Sequence, residues 1–128
     1  MISVICGIIY KSDQVFVARR KPRKSMGGFW EFPGGKLEDG ESEEECLQRE
    51  LFEELGMQVE VGSFFNENIH DYGLFRIKLT AYKCEFVEAT MKLVDHDQYK
   101  WVLPEELLSF ELAPADIPIA ERVVEITT

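Results

Sequence analysis

Cysteine, long apolar runs and low-complexity segments are scarce in this sequence. The 128 residues include three cysteines, Cys6, Cys46 and Cys84, which are far apart and form no CxxC pair. This pattern excludes a disulfide framework and a cysteine-rich zinc site, and it is typical of reduced thiols packed as small apolar residues. No apolar run approaches the roughly 18 residues of a membrane helix. Glycine and proline number 9 and 5, which excludes collagen-like and low-complexity chains.

The sequence does contain enough apolar surface for one domain. Hydrophobic residues make up 45% and aromatic residues 12% of a chain of single-domain length. We therefore expect one domain that spans residues 1–128. The N-terminal residues lack the basic region and cleavage site of a secretory signal, so we expect a cytoplasmic protein without a membrane anchor. These observations leave open whether it is a monomer or a homodimer.

The charge of the chain is strongly acidic. The 24 Asp and Glu residues against 14 Lys and Arg give a net charge of −10. Proteins that bind nucleic acid normally carry a basic surface, so a nucleic acid polymer is not the expected partner. Basic residues are nevertheless concentrated in one cluster: Arg19, Arg20, Lys21, Arg23 and Lys24. This basic cluster is either a solvated loop or a patch that faces phosphate groups, and its composition alone does not decide between them.

Apolar and turn residues together predict a mixed α/β fold. A nearly continuous apolar run over residues 2–10 is typical of a strand buried on both faces, and residues 14–20 alternate like the second arm of a hairpin. Further strands are predicted at 58–65, 73–86 and 98–103. Pro104 begins a segment typical of a first helical turn, and an amphipathic helix is predicted from about Asp116 to Ile126. This order of elements indicates a mixed sheet flanked by helices.

The strongest single element is a helix between residues 42 and 56. Ser42 is placed to cap its N-terminus, and Glu45 completes a capping box three residues later. Leucines at positions 47, 51 and 55 form one apolar stripe that predicts burial against a core. Gly56 follows as the residue that ends the helix.

Three carboxylates share one face of this helix. Glu50, Glu53 and Glu54 stand at i, i+3 and i+4, where like charges repel each other by about 0.2–0.5 kcal/mol per pair. Such a cluster of hard oxygen ligands on a rigid element is typical of a Mg²⁺ or Mn²⁺ site. The alternative is an ordinary solvated acidic face. Gly34 and Gly35 precede the helix and let the backbone approach a phosphate or a metal ion closely.

A longer motif includes both the glycine pair and the helix. Residues 35–57 match the pattern Gx5Ex7REUxEExGU, in which U is a bulky apolar residue, at every position. So many fixed identities are not expected by chance. On this pattern the chain resembles the Nudix hydrolase superfamily, and residues 28–35 resemble the lead-in of its MutT-type branch. The resemblance implies a Nudix α/β/α sandwich, with a mixed β-sheet and a Nudix box that forms a loop–helix–loop.

The resemblance also implies roles for the residues of the box. Arg49 lies four residues ahead of Glu53 and is placed to pair with it, while Glu41 lies near the metal in family members. Relatives differ in which glutamate acts as the general base, so that role stays open. The implied ligands of a divalent metal ion are the carbonyl of Gly35 and the carboxylates of Glu50, Glu53 and Glu54, of which Glu50 and Glu54 are the main ones.

Outside the box, the resemblance implies phosphate contacts and a further metal ligand. Arg20 falls where MutT-type enzymes carry a phosphate-binding arginine, and Lys36 is expected to assist it. Asp95 lies six residues ahead of Trp101, at the position of a further acidic ligand. The family more often has glutamate there, so contact through a water molecule is an alternative to direct coordination. His96 beside it is expected behind the ligands or at the surface.

The C-terminal segment 112–119 resembles that of bacterial CTP pyrophosphohydrolases of this superfamily. Asp116 stands where relatives that act on oxidised dGTP often have asparagine, and the residue there hydrogen-bonds the base. An ionised aspartate accepts from the amino group of cytosine. The alternative role for Asp116 is a helix N-cap. Ile2, Val4 and Phe32 match positions that line the base pocket, although core packing explains them equally well.

The resemblance, together with these residues, implies a Mg²⁺-dependent nucleoside triphosphate pyrophosphohydrolase, with Mn²⁺ as the alternative ion. The resemblance implies that an activated water attacks a phosphorus and releases nucleoside monophosphate and pyrophosphate. CTP, dCTP or modified cytidine nucleotides are the favoured substrates. One alternative is a hydrolase that removes 8-oxo-dGTP from the nucleotide pool. Another is a non-catalytic Nudix domain that binds a nucleotide and regulates a partner, against which the complete glutamate set argues.

Overall fold

The computed structural model describes residues 1–127, which form one seven-stranded sheet with a helix on each face. The strands and helices, in chain order, are β1 (Ile2–Lys11), β2 (Gln14–Arg20), β3 (Trp30–Glu31), β4 (Gly34–Lys36), α1 (Glu43–Leu55), β5 (Met57–Asp71), β6 (Arg76–Ala89), β7 (His96–Val102) and α2 (Ile117–Thr127). Two 3₁₀ turns, Pro104–Ser109 and Pro114–Asp116, lie between β7 and α2. The α/β fold expected from the sequence is confirmed.

The sheet is mixed, and β1 lies at its centre. The strand order is β3-β2-β1-β6-β5, in which β1 is parallel to β6 and antiparallel to β2. Two further strands pair outside this path, β4 with β1 and β7 with β2, both antiparallel. The β4 pairing places Gly35 opposite Ile5, so the start of the Nudix box lies directly against the central strand.

The core is divided by the sheet into two layers. Cys6 and Ile8 of β1 pack in the layer that includes α2, while Ile5 and Ile9 pack in the layer that includes α1. All four side chains are buried, as the continuous apolar run predicts. The three α1 leucines are fully buried as well, and each such burial is worth roughly 1.5–3 kcal/mol.

Helix α1 begins and ends where the sequence predicts. The Ser42 hydroxyl accepts from the Glu45 amide at 3.1 Å, and the Glu45 carboxylate accepts from the Ser42 amide at 2.9 Å. Gly56 ends the helix with a φ of 59°, in the left-handed region that glycine adopts without a steric penalty. Neither α1 nor any other helix within residues 1–127 is long and apolar enough to span a membrane.

Several element boundaries differ from the predictions. The strand predicted at 58–65 continues to Asp71, because its polar end pairs with β6 across a ladder that contains bulges. Strand β6 begins at Arg76 rather than at Gly73, which has a φ of 95° in the connecting turn. Pro104 begins a 3₁₀ turn and not an α-helix, and α2 begins one residue after Asp116. The short strands β3 and β4 were not predicted.

Candidate active site

A cavity of about 880 Å³ lies between β1, α1, the β5–β6 hairpin and the segment before α2. It has one charged end, near the helix carboxylates, and one largely apolar end, near the start of α2. The residues expected at the site that line it are Ile2, Val4, Arg20, Phe32, Gly35, Lys36, Glu50, Glu54, Asp95 and Asp116. Glu41, Arg49 and Glu53 are not among its lining residues. Arg49 contacts the lining residue Glu50, and Glu41 and Glu53 contact Arg49.

Arg49 organises the carboxylates around the box helix. Its Nη1 donates to Glu50 Oε1 at 2.9 Å and to Glu53 Oε1 at 3.1 Å, so the predicted Arg49–Glu53 pair is present. The guanidinium also makes a bidentate contact with Glu41, at 2.6 Å from Nε and 3.0 Å from Nη2. Hydrogen bonds from Arg49 lower the pKa of Glu41 to about 2. The repulsion expected between the glutamates is thereby offset by one cation.

Glu54 is the buried carboxyl of the charged end. Glu54 is 7% exposed, and its Oε1 has no hydrogen-bond partner among the described residues. Burial, followed by the negative charges of Glu31, Glu50 and Asp95, raises its pKa to about 8. Burial also raises the pKa of Glu50. An orphaned buried carboxyl oxygen beside further carboxylates is an arrangement that a cation stabilises.

The residues at the charged end fit a divalent metal ion, both in the type of donor atom and in how closely the backbone approaches the carboxylates. At Gly35 an added Cβ would lie 2.2 Å from the Glu50 carboxyl carbon, so glycine is required for this close approach of backbone and carboxylate. Oxygen donors of this kind are those that Mg²⁺ and Mn²⁺ prefer. Within residues 1–127, no three acidic, histidine or cysteine side chains already converge as a metal site. Glu53 is half exposed, pairs with Arg49 and is not among the residues that line the cavity.

The basic cluster separates into residues with different partners. Of its five members, Arg20 lines the cavity, and its Nε donates to the Ser25 carbonyl at 2.7 Å. Arg19 pairs with Asp97 at 2.8 Å on the outer side. Lys24 pairs with Asp95 at 3.1 Å. The structure therefore brings one arginine of this cluster to the site and places one lysine against a candidate metal ligand.

Glu31 and His96 are site residues that sequence reasoning missed or placed only loosely. The Glu31 side chain lines the cavity, and its Oε2 contacts His96 Nε2 at 2.8 Å and Arg20 Nη1 at 3.4 Å. His96 is fully buried behind Glu31, not at the surface, and its Nδ1 has no partner among residues 1–127. A lone carboxylate between Trp30 and Phe32 was the one available signal for Glu31.

Asp116 lies at the apolar end of the cavity and is 6% exposed. Its Oδ2 accepts a hydrogen bond from the Phe32 amide at 2.9 Å, so its side chain contacts the β3–β4 segment and not the first turn of α2. Burial, and then the charge of Glu31, raises the pKa of Asp116 well above its usual range. Burial therefore favours the neutral acid, which donates as well as accepts, over the ionised form considered in the sequence analysis.

Apolar side chains complete the same end of the cavity. Ile2 and Val4 are half-buried in its wall, and Phe32 is buried with 2% exposure. Residues that the sequence did not indicate also contribute, notably Tyr72 and Phe75 around the turn of the β5–β6 hairpin. Few polar groups among apolar walls are the usual composition of a site for a small organic ligand.

Comparison with known proteins agrees with the motif. The NUDIX domain family model matches residues 4–122. A CTP pyrophosphohydrolase of Escherichia coli is 37% identical over 121 residues, which cover 94% of this chain and 90% of that protein. A putative 8-oxo-dGTP diphosphatase 2 of Mycobacterium tuberculosis is 35% identical over 116 residues, which cover 88% and 81%.

Solved structures show the same fold. The solution structure of the E. coli ORF135 protein has a TM-score of 0.85 and 35% identity, covering 100% of this chain and 91% of that one. The crystal structure of a MutT protein from Methanosarcina mazei has a TM-score of 0.88 at 24% identity, covering 99% and 95%. The resemblance inferred from the box is thus confirmed over nearly the whole chain, which belongs to the Nudix family and is a Nudix hydrolase.

Proposed function

We propose that this Nudix hydrolase uses Mg²⁺ to cleave nucleoside triphosphates into nucleoside monophosphate and pyrophosphate, with cytidine nucleotides as preferred substrates. The observation that carries the proposal is the two-ended cavity, with Arg20, Glu50 and Glu54 at one end and Asp116 among apolar side chains at the other. A nucleoside triphosphate has the same division, because its phosphates are polyanionic and its base is flat with a few polar edges. Relatives named CTP pyrophosphohydrolase and 8-oxo-dGTP diphosphatase support this substrate class.

Hydrolases of this family generally use divalent metal ions. Glu50, Glu54 and the Gly35 carbonyl are the groups that would hold Mg²⁺, or Mn²⁺ in its place, with Asp95 and Glu53 in support. A bound ion neutralises phosphate charge and lowers the pKa of a water molecule. Arg49 keeps the Glu50 and Glu53 carboxylates oriented, and its bidentate contact with Glu41 fixes the loop before α1.

The phosphates and the base are bound by separate groups of the chain. Arg20 and Lys36 line the charged end and attract the triphosphate. Asp116 offers Oδ1 to the base, since Oδ2 is held by the Phe32 amide. When ionised, Oδ1 accepts from the amino group of cytosine and opposes the carbonyl that uracil presents there. Ile2, Val4 and Phe32 then form the apolar contact with the base.

A second candidate is the hydrolysis of 8-oxo-dGTP. The relatives named 8-oxo-dGTP diphosphatase favour it, one of them 35% identical over 116 residues. Oxidised guanine also offers donors that a carboxylate accepts, so the same Asp116 contact serves either base. The cytidine proposal ranks first because the relative named CTP pyrophosphohydrolase is 37% identical over 94% of this chain, against 35% over 88% for that diphosphatase.

The cysteines support a proposal for the compartment. Cys6, Cys46 and Cys84 are free and buried. Buried reduced thiols support a reducing compartment, and we propose the cytoplasm.

Pyrophosphate release from CTP, dCTP, UTP and 8-oxo-dGTP with Mg²⁺ tests the proposed function. We expect the cytidine nucleotides to have the highest kcat/KM, Glu54→Gln to abolish turnover, and Asp116→Asn to narrow the difference between CTP and UTP. Glu44→Gln, on the exposed first turn of the same helix, is the control that retains activity. Nucleotide binding without pyrophosphate release would instead support the regulatory alternative. Turnover of Glu54→Gln within about tenfold of wild type would remove Glu54 from the reaction.

A further inference from the structure

The β5–β6 hairpin extends over the apolar end of the cavity. Tyr72 and Phe75 close its turn through a hydrogen bond from the Tyr72 amide to the Phe75 carbonyl at 2.9 Å, and both side chains line the cavity. Their rings are 5.4 Å apart between centroids, and the Tyr72 ring also contacts the His70 ring at 4.4 Å. The tyrosine ring is therefore held on two sides, which fixes the direction of its hydroxyl.

Two side chains of this hairpin occupy both polar backbone groups of Ala115. The Tyr72 hydroxyl accepts from the Ala115 amide at 3.0 Å, and the Asn68 side-chain amide donates to the Ala115 carbonyl at 3.0 Å. Ala115 is 4% exposed and lies in a 3₁₀ turn, whose early amide groups have no partner within the turn. The Tyr72 hydroxyl thus supplies a partner for an amide that the turn leaves unpaired, and Asn68 adds a donor to the carbonyl of the same residue.

The residue that follows this turn position is Asp116. Its carboxyl is fixed to the Phe32 amide on one side, while its backbone continues from Ala115, which the hairpin holds on the other. The position of Oδ1 in the cavity therefore depends on two sets of contacts that come from different parts of the sheet. A hydrogen bond weakens steeply when its distance or angle changes, so a small shift of this backbone alters what the carboxyl can recognise.

We propose that Tyr72 and Asn68 are positioning residues that set the base discrimination of the site by clamping Ala115 and thereby orienting Asp116. The proposal rests on the proposed function, in which Asp116 contacts the base. Tyr72 acts through its hydroxyl on Ala115, while its ring contributes a wall of the same cavity. Asn68 acts through its amide alone, since its contact is with the Ala115 carbonyl.

The test compares kcat/KM for CTP and UTP in conservative variants, at the pH where the wild-type ratio of CTP to UTP is highest. Tyr72→Phe keeps the ring and removes the hydroxyl, and Asn68→Asp keeps the shape and replaces the donor by an acceptor. We expect each to lower the ratio of kcat/KM for CTP to that for UTP by roughly three- to tenfold, the effect of one neutral hydrogen bond. The control is Tyr82→Phe, which removes a hydroxyl that bonds Glu43, outside the cavity lining. Its ratio should equal that of wild type.

The ratio separates positioning from general destabilisation, because a less stable enzyme loses activity toward both nucleotides equally. Thermal melting of each variant without nucleotide gives the stability change independently. If Asp116→Asn lowers the CTP-to-UTP ratio while Tyr72→Phe and Asn68→Asp leave it unchanged, the proposed positioning role of Tyr72 and Asn68 is wrong. The base-reading role of Asp116 then stands. If wild type shows no preference, or Asp116→Asn keeps it, the role of Asp116 and the clamp both fail.

Discussion

The amide of Phe32 donates to Oδ2 of Asp116 at 2.9 Å, joining residues 84 positions apart. This bond commits one carboxyl oxygen to the protein and leaves Oδ1 for the ligand. Burial favours the neutral acid at this position, so Oδ1 changes from a donor to an acceptor as the proton is lost. The base that the site prefers should therefore depend on pH.

We expect the preference for CTP over UTP to increase as the pH rises through the elevated pKa of Asp116. Where cytosine carries its amino group, uracil carries a carbonyl oxygen, so at this position the neutral acid can donate to uracil, whereas the ionised form can only accept, and accepts from cytosine. The ratio of kcat/KM for the two nucleotides, measured across pH, removes effects that both substrates share. Asp116→Asn should show a flat ratio. A ratio in wild type that falls with rising pH would contradict this assignment.

The same carboxyl should make folding stability depend on pH. Between the unfolded value of 3.8 and the raised folded pKa, the folded protein keeps a proton that the unfolded chain has lost. The contribution of Asp116 to the unfolding free energy is therefore fully present below the unfolded pKa and is lost as the pH rises through the folded pKa. Urea denaturation of wild type and Asp116→Asn should show a difference in unfolding free energy that grows in favour of the variant with rising pH.

Asp97 provides a control of opposite sign for that measurement. A hydrogen bond from Arg19 lowers the pKa of Asp97. Its contribution is present above its unfolded pKa and is lost as the pH falls through the folded value. The difference between wild type and Asp97→Asn should therefore shrink toward acid pH. Equal pH trends for the two variants would show that neither reports its own carboxyl.

Binding of Mg²⁺ should release a proton from Glu54. With a pKa of about 8, this carboxyl is mostly protonated at neutral pH in the metal-free protein, and a carboxylate must be deprotonated to bind a metal ion. Calorimetric titration in buffers of different ionisation enthalpy should show release of about one proton per ion at pH 7. Glu54→Gln should release none, and Glu44→Gln should behave as wild type. Release from Glu54→Gln equal to that of wild type would assign the proton elsewhere.

Features that depend on neighbouring residues were predictable from the sequence. The residues of the capping box, and those of the leucine stripe, lie within a few turns of one another along the chain. They predict a helix between residues 42 and 56, and the structure has one at Glu43–Leu55. Strands β3 and β4 have two and three residues. They are too short to show a period, and they exist because β2 and β1 provide their hydrogen-bond partners.

Features of the site that depend on contacts between distant parts of the chain were not predictable. Glu31 and His96 are 65 positions apart, and Tyr72 and Ala115 are 43 apart. No local pattern indicates which strands become neighbours or in which register. The basic cluster shows the same limit at short range. Arg19 and Arg20 are adjacent, yet alternation along β2 sends one toward Asp97 and the other into the cavity.

Arg20 should contribute more to triphosphate turnover than an exposed arginine of the same basic cluster. Arg20 lines the cavity, whereas Arg23 is exposed and outside the lining. We expect Arg20→Ala to lower kcat/KM strongly and Arg23→Ala to change it little, in kinetics at fixed ionic strength because salt screens exposed charges. Lys24 is a poor control, since it pairs with Asp95. Equal, small effects of the two arginine variants would restore the interpretation of a solvated loop.

Replacing each of the two glycines of β4 by alanine should affect different properties of the protein, folding stability for Gly34 and the metal site for Gly35. At Gly34 an added Cβ would lie 1.9 Å from the Ile5 carbonyl oxygen, which is backbone in the central strand. The strand pair must move, so we expect Gly34→Ala to lower the unfolding free energy by roughly 1–3 kcal/mol or more. At Gly35 the clash is with the end of the Glu50 side chain, 2.2 Å away. That side chain can rotate, so the unfolding free energy of Gly35→Ala should lie within about 1 kcal/mol of the wild-type value.

Gly35→Ala should instead impair metal binding and catalysis. A rotated Glu50 leaves its contact with Arg49 Nη1 and withdraws one carboxylate from the charged end of the cavity. We expect weaker Mg²⁺ binding by calorimetry and a large loss of pyrophosphate release, with a nearly unchanged melting curve in the absence of metal. Gly34→Ala should show the reverse, with a lower melting temperature and, in the fraction that stays folded, normal Mg²⁺ affinity. If both variants lose stability equally, or if Gly35→Ala binds Mg²⁺ like wild type, the close approach of Gly35 to Glu50 serves packing and not the metal site.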